Sequence, residues 1–188
     1  VLTTQQPFHD EVIVWRFDPR DPVPTIGGAI ASGTPLMEGG AFDQRETPSI
    51  YGAQHPGRVL AARADVQVFE TEPLADDVIV AGPVRARLWV STSALDTDFT
   101  VKLLDVHPPS PDWPDGYAMN LTDGIRRLRF REGYDRALAA EPGRVYAIDV
   151  ELFPTANRFV AGHRIRIDVS SSNFPHFDVN PNTGAPAG

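Results

Sequence analysis

Hydrophobic and polar residues alternate along much of this chain, with the period of two that a β-strand produces. In VRARLWVST (residues 84–92) every second residue from Val84 to Val90 is apolar, and arginine, tryptophan and serine fill the positions between them. HRIRIDVSS (residues 163–171) repeats the pattern from Ile165 to Val169. Each run is typical of a half-buried antiparallel strand, with its apolar side toward the core and its polar side toward water.

Other segments add to this β-rich picture, since helical periodicity is poor and the best helical stretch is the short 134–140. The further predicted strands are residues 11–17, 64–71, 98–106, 125–131 and 145–153. Seven or eight strands predict two antiparallel sheets packed face to face. The apolar members of the runs should share one core, namely Leu88, Val90, Leu103, Ile148, Val150, Ile165 and Ile167.

The connections between the strands differ greatly in length. The chain has 15 glycines and 18 prolines, many of them in 18–63 and 107–116, which are too long and proline-rich for tight hairpins. STSALDT (residues 91–97) is short enough for a hairpin. Long crossovers indicate Greek-key wiring, so we predict an all-β jelly-roll sandwich, one domain over residues 1–188, with 29–63 as a long Gly/Pro-rich connection.

Composition excludes several classes of function. The net charge is −8 and no run of lysine or arginine is long enough to follow a phosphate backbone, so we expect no nucleic-acid partner. No stretch is apolar enough for a membrane helix, and no signal-peptide pattern opens the chain. We therefore expect a soluble protein, with the compartment left open between cytoplasmic and secreted. The absence of cysteine excludes disulfides and thiolate chemistry.

Catalytic chemistry is poorly represented. Ser170, Ser171 and Ser172 follow a predicted strand and precede Asn-Phe-Pro, whereas a hydrolase nucleophile elbow needs Gly-x-Ser-x-Gly, which is absent here. The serines are expected to end a strand, with no catalytic residue in this chain. The histidines stand far apart, so we expect no metal and no cofactor; the residues are His9, His55, His107, His163 and His176. Asp96 and Asp98 are expected to cap the turn into the next strand, the alternative being a calcium site with Asp105 further on.

Two loop features carry recognition chemistry. Asp43, Gln44 and Arg45 supply an acceptor, an amide and a forked donor within three residues, and they either tie a loop down or meet a neighbouring domain. We take them as domain-interface candidates. Trp113 is the tryptophan on a predicted loop, and an exposed indole is a platform on which a sugar ring can stack.

Several strings together resemble a known family. They are DPRDPVPTIGG, AFDQRE, the long run from VFETEPL to LLDVHP, YAMNLTDGIRRLRFR and SSSNFPHFDVNPNTG. In this order they resemble the C-terminal domain of the cocaine esterase (CocE/NonD) and X-Pro dipeptidyl-peptidase family of serine hydrolases. The resemblance implies a galactose-binding-like jelly roll without catalytic residues, which packs on an upstream α/β-hydrolase domain and helps to shape its active site.

The same resemblance leaves an alternative and an expectation. The alternative function is a carbohydrate-binding module that uses Trp113, because similar jelly rolls bind sugars through exposed aromatic rings. Members of the family normally have further jelly-roll sequence on both flanks. We therefore expect an open sheet edge beside residues 145–153 or 164–171, and self-association through it.

Overall fold

The computed structural model describes residues 12–33 and 36–184. Within them are six strands and two short 3₁₀ turns, Leu60–Ala62 and Leu128–Phe130. The strands are β1 (Gln67–Glu70), β2 (Val78–Val90), β3 (Asp98–His107), β4 (Tyr117–Arg127), β5 (Tyr146–Phe159) and β6 (Arg164–Ser170). No helix in these two ranges is long and apolar enough to cross a membrane.

The strands form two antiparallel sheets. One has the order β1-β6-β3-β4, and the other pairs β2 with β5. The chain changes sheet at every connection except that between β3 and β4. This confirms the all-β sandwich of two antiparallel sheets; the finer galactose-binding-like assignment stays a prediction.

The core lies between the sheets and contains all seven predicted residues. Val90, Leu103, Ile148 and Val150 are buried, while Leu88, Ile165 and Ile167 are half-buried and pack against them. Arg85 and Arg87 are exposed on the outer face of β2, as the alternation predicts. Burying each such aliphatic side chain contributes ~1.5–3 kcal/mol, so this cluster is the main source of stability.

The two longest strands, β2 and β5, each contain a proline. Pro83 in β2 and Pro154 in β5 lie where the register between these strands shifts. A proline lacks the N–H that a regular ladder requires, and an irregular position tolerates that loss. The predicted strand 145–153 therefore continues through Pro154 and ends at Phe159.

Two predicted strands differ from the structure. Residues 12–17 form no strand, and Glu11 lies outside the described residues; Trp15 instead packs edge-on against Phe99. The strand predicted at 125–131 begins earlier, at Tyr117, and ends at Arg127, where the 3₁₀ turn starts. Pairing with β3 overrides the turn-like composition of NLTDG.

The connections 91–97 and 107–116 have the opposite roles to those predicted, since the short one crosses between the sheets and the long one closes a hairpin. The loop 108–116 closes the β3–β4 hairpin, since His107 pairs with Tyr117, whereas residues 91–97 cross from one sheet to the other. The long loop is folded on itself, with the Trp113 carbonyl accepting from the amides of Ser110 and Gly116. Length and proline content therefore did not exclude a hairpin.

The polar face of β6 is also different from the prediction. Arg166 and Asp168 point away from the apolar core, but they are buried, because residues 18–33 and 36–66 lie over that face as a third layer. This covering layer has its own small apolar cluster, consisting of Val23, Ile26, Leu60 and Val66. The prediction of an open sheet edge beside residues 164–171 was therefore wrong, since β6 pairs with β1 on one side and β3 on the other. In the described ranges β5 pairs only with β2, so its other side is a sheet edge.

Candidate functional site

The three serines lie at the end of β6, and Ser172 connects this end to the covering layer. Ser170–Ser172 are at most 5% exposed. The Ser171 hydroxyl accepts from Trp15 Nε1 at 3.1 Å, and the Ser172 hydroxyl accepts from the Val23 amide at 2.9 Å. Hydroxyls held in this way stabilise the junction of two layers. Their contacts are those of scaffold residues.

A buried lysine stands at the centre of the interface between the sheet and the covering layer. Lys102 of β3 lies directly opposite Asp123 of β4 and Asp168 of β6, and its Nζ donates to Gln44 Oε1 at 3.1 Å. Burial lowers the pKa of Lys102 to about 8, although the Asp123 and Asp168 carboxylates act in the opposite direction. The lysine therefore fixes the covering layer to the sheet at a cost in solvation.

A second charged pair shares this face. Arg166 and Asp168 are connected by two hydrogen bonds of 2.7 Å each, the bidentate geometry that suits guanidinium and carboxylate. Burial is the largest single effect and acts to lower the pKa of Arg166, but the bonds to Asp168 and the negative charges of Asp168, Glu70 and Asp43 together outweigh it, so the pKa is raised. Arg166 thus stays charged inside the protein, with the Asp168 carboxylate bound to it.

The Asp43, Gln44 and Arg45 cluster acts in the structure as an anchor of the covering layer. Gln44 is 1% exposed, and besides accepting from Lys102 it donates to the Ile26 carbonyl at 2.9 Å. Asp43 accepts from the Ala118 amide of β4 at 2.9 Å. These contacts correspond to the loop-anchoring alternative; a role of Asp43 and Arg45 toward another domain stays a prediction.

The second predicted feature, Trp113, lies beside the first. Arg45 approaches Asp115 at 3.6 Å, two residues from Trp113, and the Trp113 ring packs on Tyr117 with centroids 4.6 Å apart. The Tyr117 hydroxyl in turn donates to the carbonyl of Ala41. Residues 28–33 and 36–45 and the loop 108–116 therefore form one end of the sandwich, which we call the loop end.

Apolar side chains are exposed at this loop end. Trp113 is 51% exposed, and the exposed members of the neighbouring loop are Ile30, Leu36 and Phe42. Several apolar groups together on loops that also carry charged residues are typical of a surface that contacts another protein or domain. The two sites that the sequence suggested separately are thus one surface.

Two histidines and an aspartate meet between the sheets near the same end. Asp105 and His107 lie two residues apart on β3 and so share a face, and His163 precedes β6. His163 Nδ1 is 2.8 Å from Asp105 Oδ1, and the two imidazole centroids are 4.1 Å apart. Burial first, and the neighbouring His163 second, lower the pKa of His107. Sequence spacing missed this group because 56 residues separate its histidines.

The carboxylates of Asp96 and Asp98 bind arginine side chains. Asp98 holds Arg127 through two bonds of 2.8 and 2.9 Å, and Asp96 accepts from Arg129 Nε at 2.6 Å. Asn180 donates to both carboxylates. The carboxylates thus stabilise the end of β4 and the turn that follows it, and not the turn into β3 that the sequence suggested, and their oxygens are already used.

Comparison with known proteins gives the family. The family model of the X-Pro dipeptidyl-peptidase C-terminal non-catalytic domain matches residues 1–188. The cocaine esterase of Rhodococcus sp. (strain MB1 Bresler) is 44% identical over 170 residues, which are 90% of this chain and 26% of the esterase. A putative serine esterase of Mycobacterium bovis is 28% identical over 138 residues, or 64% of this chain and 21% of that protein.

Solved structures of two hydrolases are also similar to this chain. An aminopeptidase from the marine sediment archaeon Thaumarchaeota archaeon superposes with a TM-score of 0.65 at 38% identity, over 78% of this chain and 26% of that one. An α-amino acid ester hydrolase gives 0.66 at 33% identity, over 78% and 22% respectively. The chain spans about a quarter of the length of the Rhodococcus cocaine esterase. This chain belongs to the family of X-Pro dipeptidyl-peptidase C-terminal non-catalytic domains.

Proposed function

We propose that this chain is the accessory domain of a serine hydrolase and packs on an α/β-hydrolase domain of the same parent protein, helping to shape its active site. The observation that carries the proposal is the match of the non-catalytic family over residues 1–188, combined with relatives of which the chain covers about a quarter. The relatives include esterases and an aminopeptidase. The parent reaction is therefore acyl transfer to water, on an ester or a peptide.

The loop end supplies the contact surface in this proposal. Its exposed Trp113, Phe42 and Leu36 provide apolar area, and the partly exposed Asp43 and Arg45 provide polar contacts around it. Aromatic anchors surrounded by polar groups are the usual composition of a protein interface. The outer face of β2 and β5 is less suitable, because arginine and acidic residues pair across it; the pairs include Arg87 with Asp149.

A complementation experiment tests the proposal. The Rhodococcus cocaine esterase is prepared without its own C-terminal domain and mixed with this chain, and we expect a complex on gel filtration and faster hydrolysis of p-nitrophenyl acetate than either part gives alone. The chain by itself should show no turnover above background. No complex with the wild-type chain, or turnover by the chain alone, would contradict the proposal.

Two exposed tryptophans provide a matched pair for locating the surface. Trp113→Ser, at the loop end, should weaken the complex at least about tenfold, since aromatic anchors dominate interface energies. Trp89→Ser, on the outer face of β2 and 67% exposed, should leave it unchanged. Equal weakening by both substitutions would exclude the loop end as the contact surface.

The alternative of a carbohydrate-binding module also depends on Trp113. The ring is half-exposed and supported by Tyr117 behind it, which is an arrangement that a sugar ring can stack on. A glycan-array screen separates the two functions: saccharide binding that Trp113→Ala abolishes would favour the module.

A further inference from the structure

We propose that Asp105, His107 and His163 form a binding site for a divalent first-row transition metal, with Zn²⁺ as its natural probe. One ligand atom from each residue lies within 4.8 Å of the other two. Two imidazoles and one carboxylate are a ligand set that zinc uses in proteins. This inference does not depend on the accessory-domain proposal.

The orientation of His107 is the main evidence. Its Nε2 is buried and has no hydrogen-bond partner, and it lies 3.8 Å from Asp105 Oδ2. A buried ring nitrogen without a partner is destabilising, and native proteins normally avoid it. A metal ion bound between the three side chains would satisfy this nitrogen, which a simple ion pair of Asp105 with His163 leaves unexplained.

The fold holds the ligands from three directions. β3 supplies Asp105 and His107 on one face, and the Gly162 turn before β6, with φ of 87°, places His163 against them. Asn157 of β5, in the opposite sheet, donates to Asp105 Oδ2 at 3.0 Å. Metal-binding carboxylates are commonly oriented by such a second hydrogen bond.

The distances fit a site that closes when the ion binds. With Zn–N and Zn–O bonds of about 2.0–2.2 Å, tetrahedral ligand atoms are roughly 3.3 Å apart. His163 Nδ1 and Asp105 Oδ1, at 2.8 Å, are closer than this and separate slightly when the ion binds, whereas His107 Nε2, 3.8 Å from Asp105 Oδ2, moves inward. The Asp105 and His163 side chains are 3% and 15% exposed, and His107, at 37%, leaves a route from solvent.

Zinc titration of the whole chain tests the site. After dialysis against a chelator, the chain competes for Zn²⁺ with a chromophoric zinc indicator, and we expect one saturable ion per chain. Ligand-linked stabilisation should raise the Tm by roughly 5 °C or more when zinc exceeds its Kd a hundredfold. Cobalt in place of zinc should give visible d–d absorption bands.

Variants assign the ligands. His107→Gln and His163→Gln should each lower zinc affinity by at least about tenfold, and Asn157→Ala by about 10–100-fold through the second hydrogen bond. His55→Gln is the matched control, because His55 lies in the covering layer with a side chain 52% exposed. Circular dichroism of each variant identifies any that fail to fold, and the wild-type titration still decides the question. Absence of saturable binding by the wild type, or equal loss in His55→Gln, would overturn the proposal.

Discussion

Lys102 illustrates how a single side chain in this protein combines structural attachment with an electrostatic cost. It lies in the middle of β3, fully buried, with a carboxylate opposite it on each neighbouring strand and Gln44 of the covering layer above it. The carboxylates favour its charged form, but the loss of water outweighs them. The residue therefore ties the layer in place while lowering the stability of the folded state at neutral pH.

This cost predicts a dependence of stability on pH. The pKa of Lys102 is about 8 in the folded protein and 10.5 in the unfolded chain. Between these pH values the unfolded chain binds more protons, so the free energy of unfolding rises with pH. From pH 7.5 to pH 9.5 the gain from this lysine is about 2 kcal/mol. Urea denaturation of the wild type and Lys102→Met at both pH values measures it as the difference between the two proteins. An identical pH dependence in both would contradict the lowered pKa.

At the scale of the elements, the two sheets approach closely where β4 crosses β5. Gly124 of β4 faces the backbone of β5, and a Cβ at this position would lie 2.2 Å from the Glu151 carbonyl oxygen. Atoms of the main chain cannot move aside as a flexible side chain can. The close packing of the sheets at this point therefore requires glycine.

Gly124→Ala should destabilise the protein by about 3 kcal/mol or more, the upper end of what overpacking costs, because the added methyl forces the strands apart. Gly57→Ala is the control: its φ is 94° and nothing lies within 4 Å of the added Cβ, so it loses only about 1–2 kcal/mol from backbone strain. Urea midpoints of both variants measure the difference. A smaller loss for Gly124→Ala than for Gly57→Ala would show that the sheets separate easily here.

At the scale of the whole molecule, the covering layer is a third layer with almost no regular secondary structure. Glu46 anchors one of its loops, since the buried carboxylate accepts from the amides of Gln54 and His55 and pairs with Arg58. Buried polar anchors of this kind replace the hydrogen-bond ladder that a strand would provide. The layer should therefore open only when much of the fold opens.

Limited trypsin digestion tests whether the covering layer opens separately from the rest of the fold. We expect early cleavage after the exposed Arg136 and Arg144, and slow cleavage after Arg58 and Arg63, whose side chains are 27% and 3% exposed. Glu46→Ala should make cleavage after Arg58 fast, whereas Glu141→Ala, which removes an exposed acid, should not. Mass spectrometry of early fragments reads the order, and rapid cleavage after Arg58 in the wild type would refute the anchored layer.

The sequence by itself determined the sandwich and its core. Alternation with a period of two specifies which side of a strand is apolar, so residues such as Val90 and Ile148 were assigned correctly to the interior. The family strings likewise identified the family that the comparisons establish. Both kinds of signal are local along the chain.

Only the tertiary structure decided what covers the polar faces and which distant residues meet. Alternation distinguishes apolar from polar sides, but it does not distinguish a polar side in water from one buried under an irregular layer, as with Arg166 and Asp168. His107 and His163 come together only because β3 pairs with β6. Such contacts depend on strand pairing between segments far apart in the chain, and no local pattern encodes that pairing.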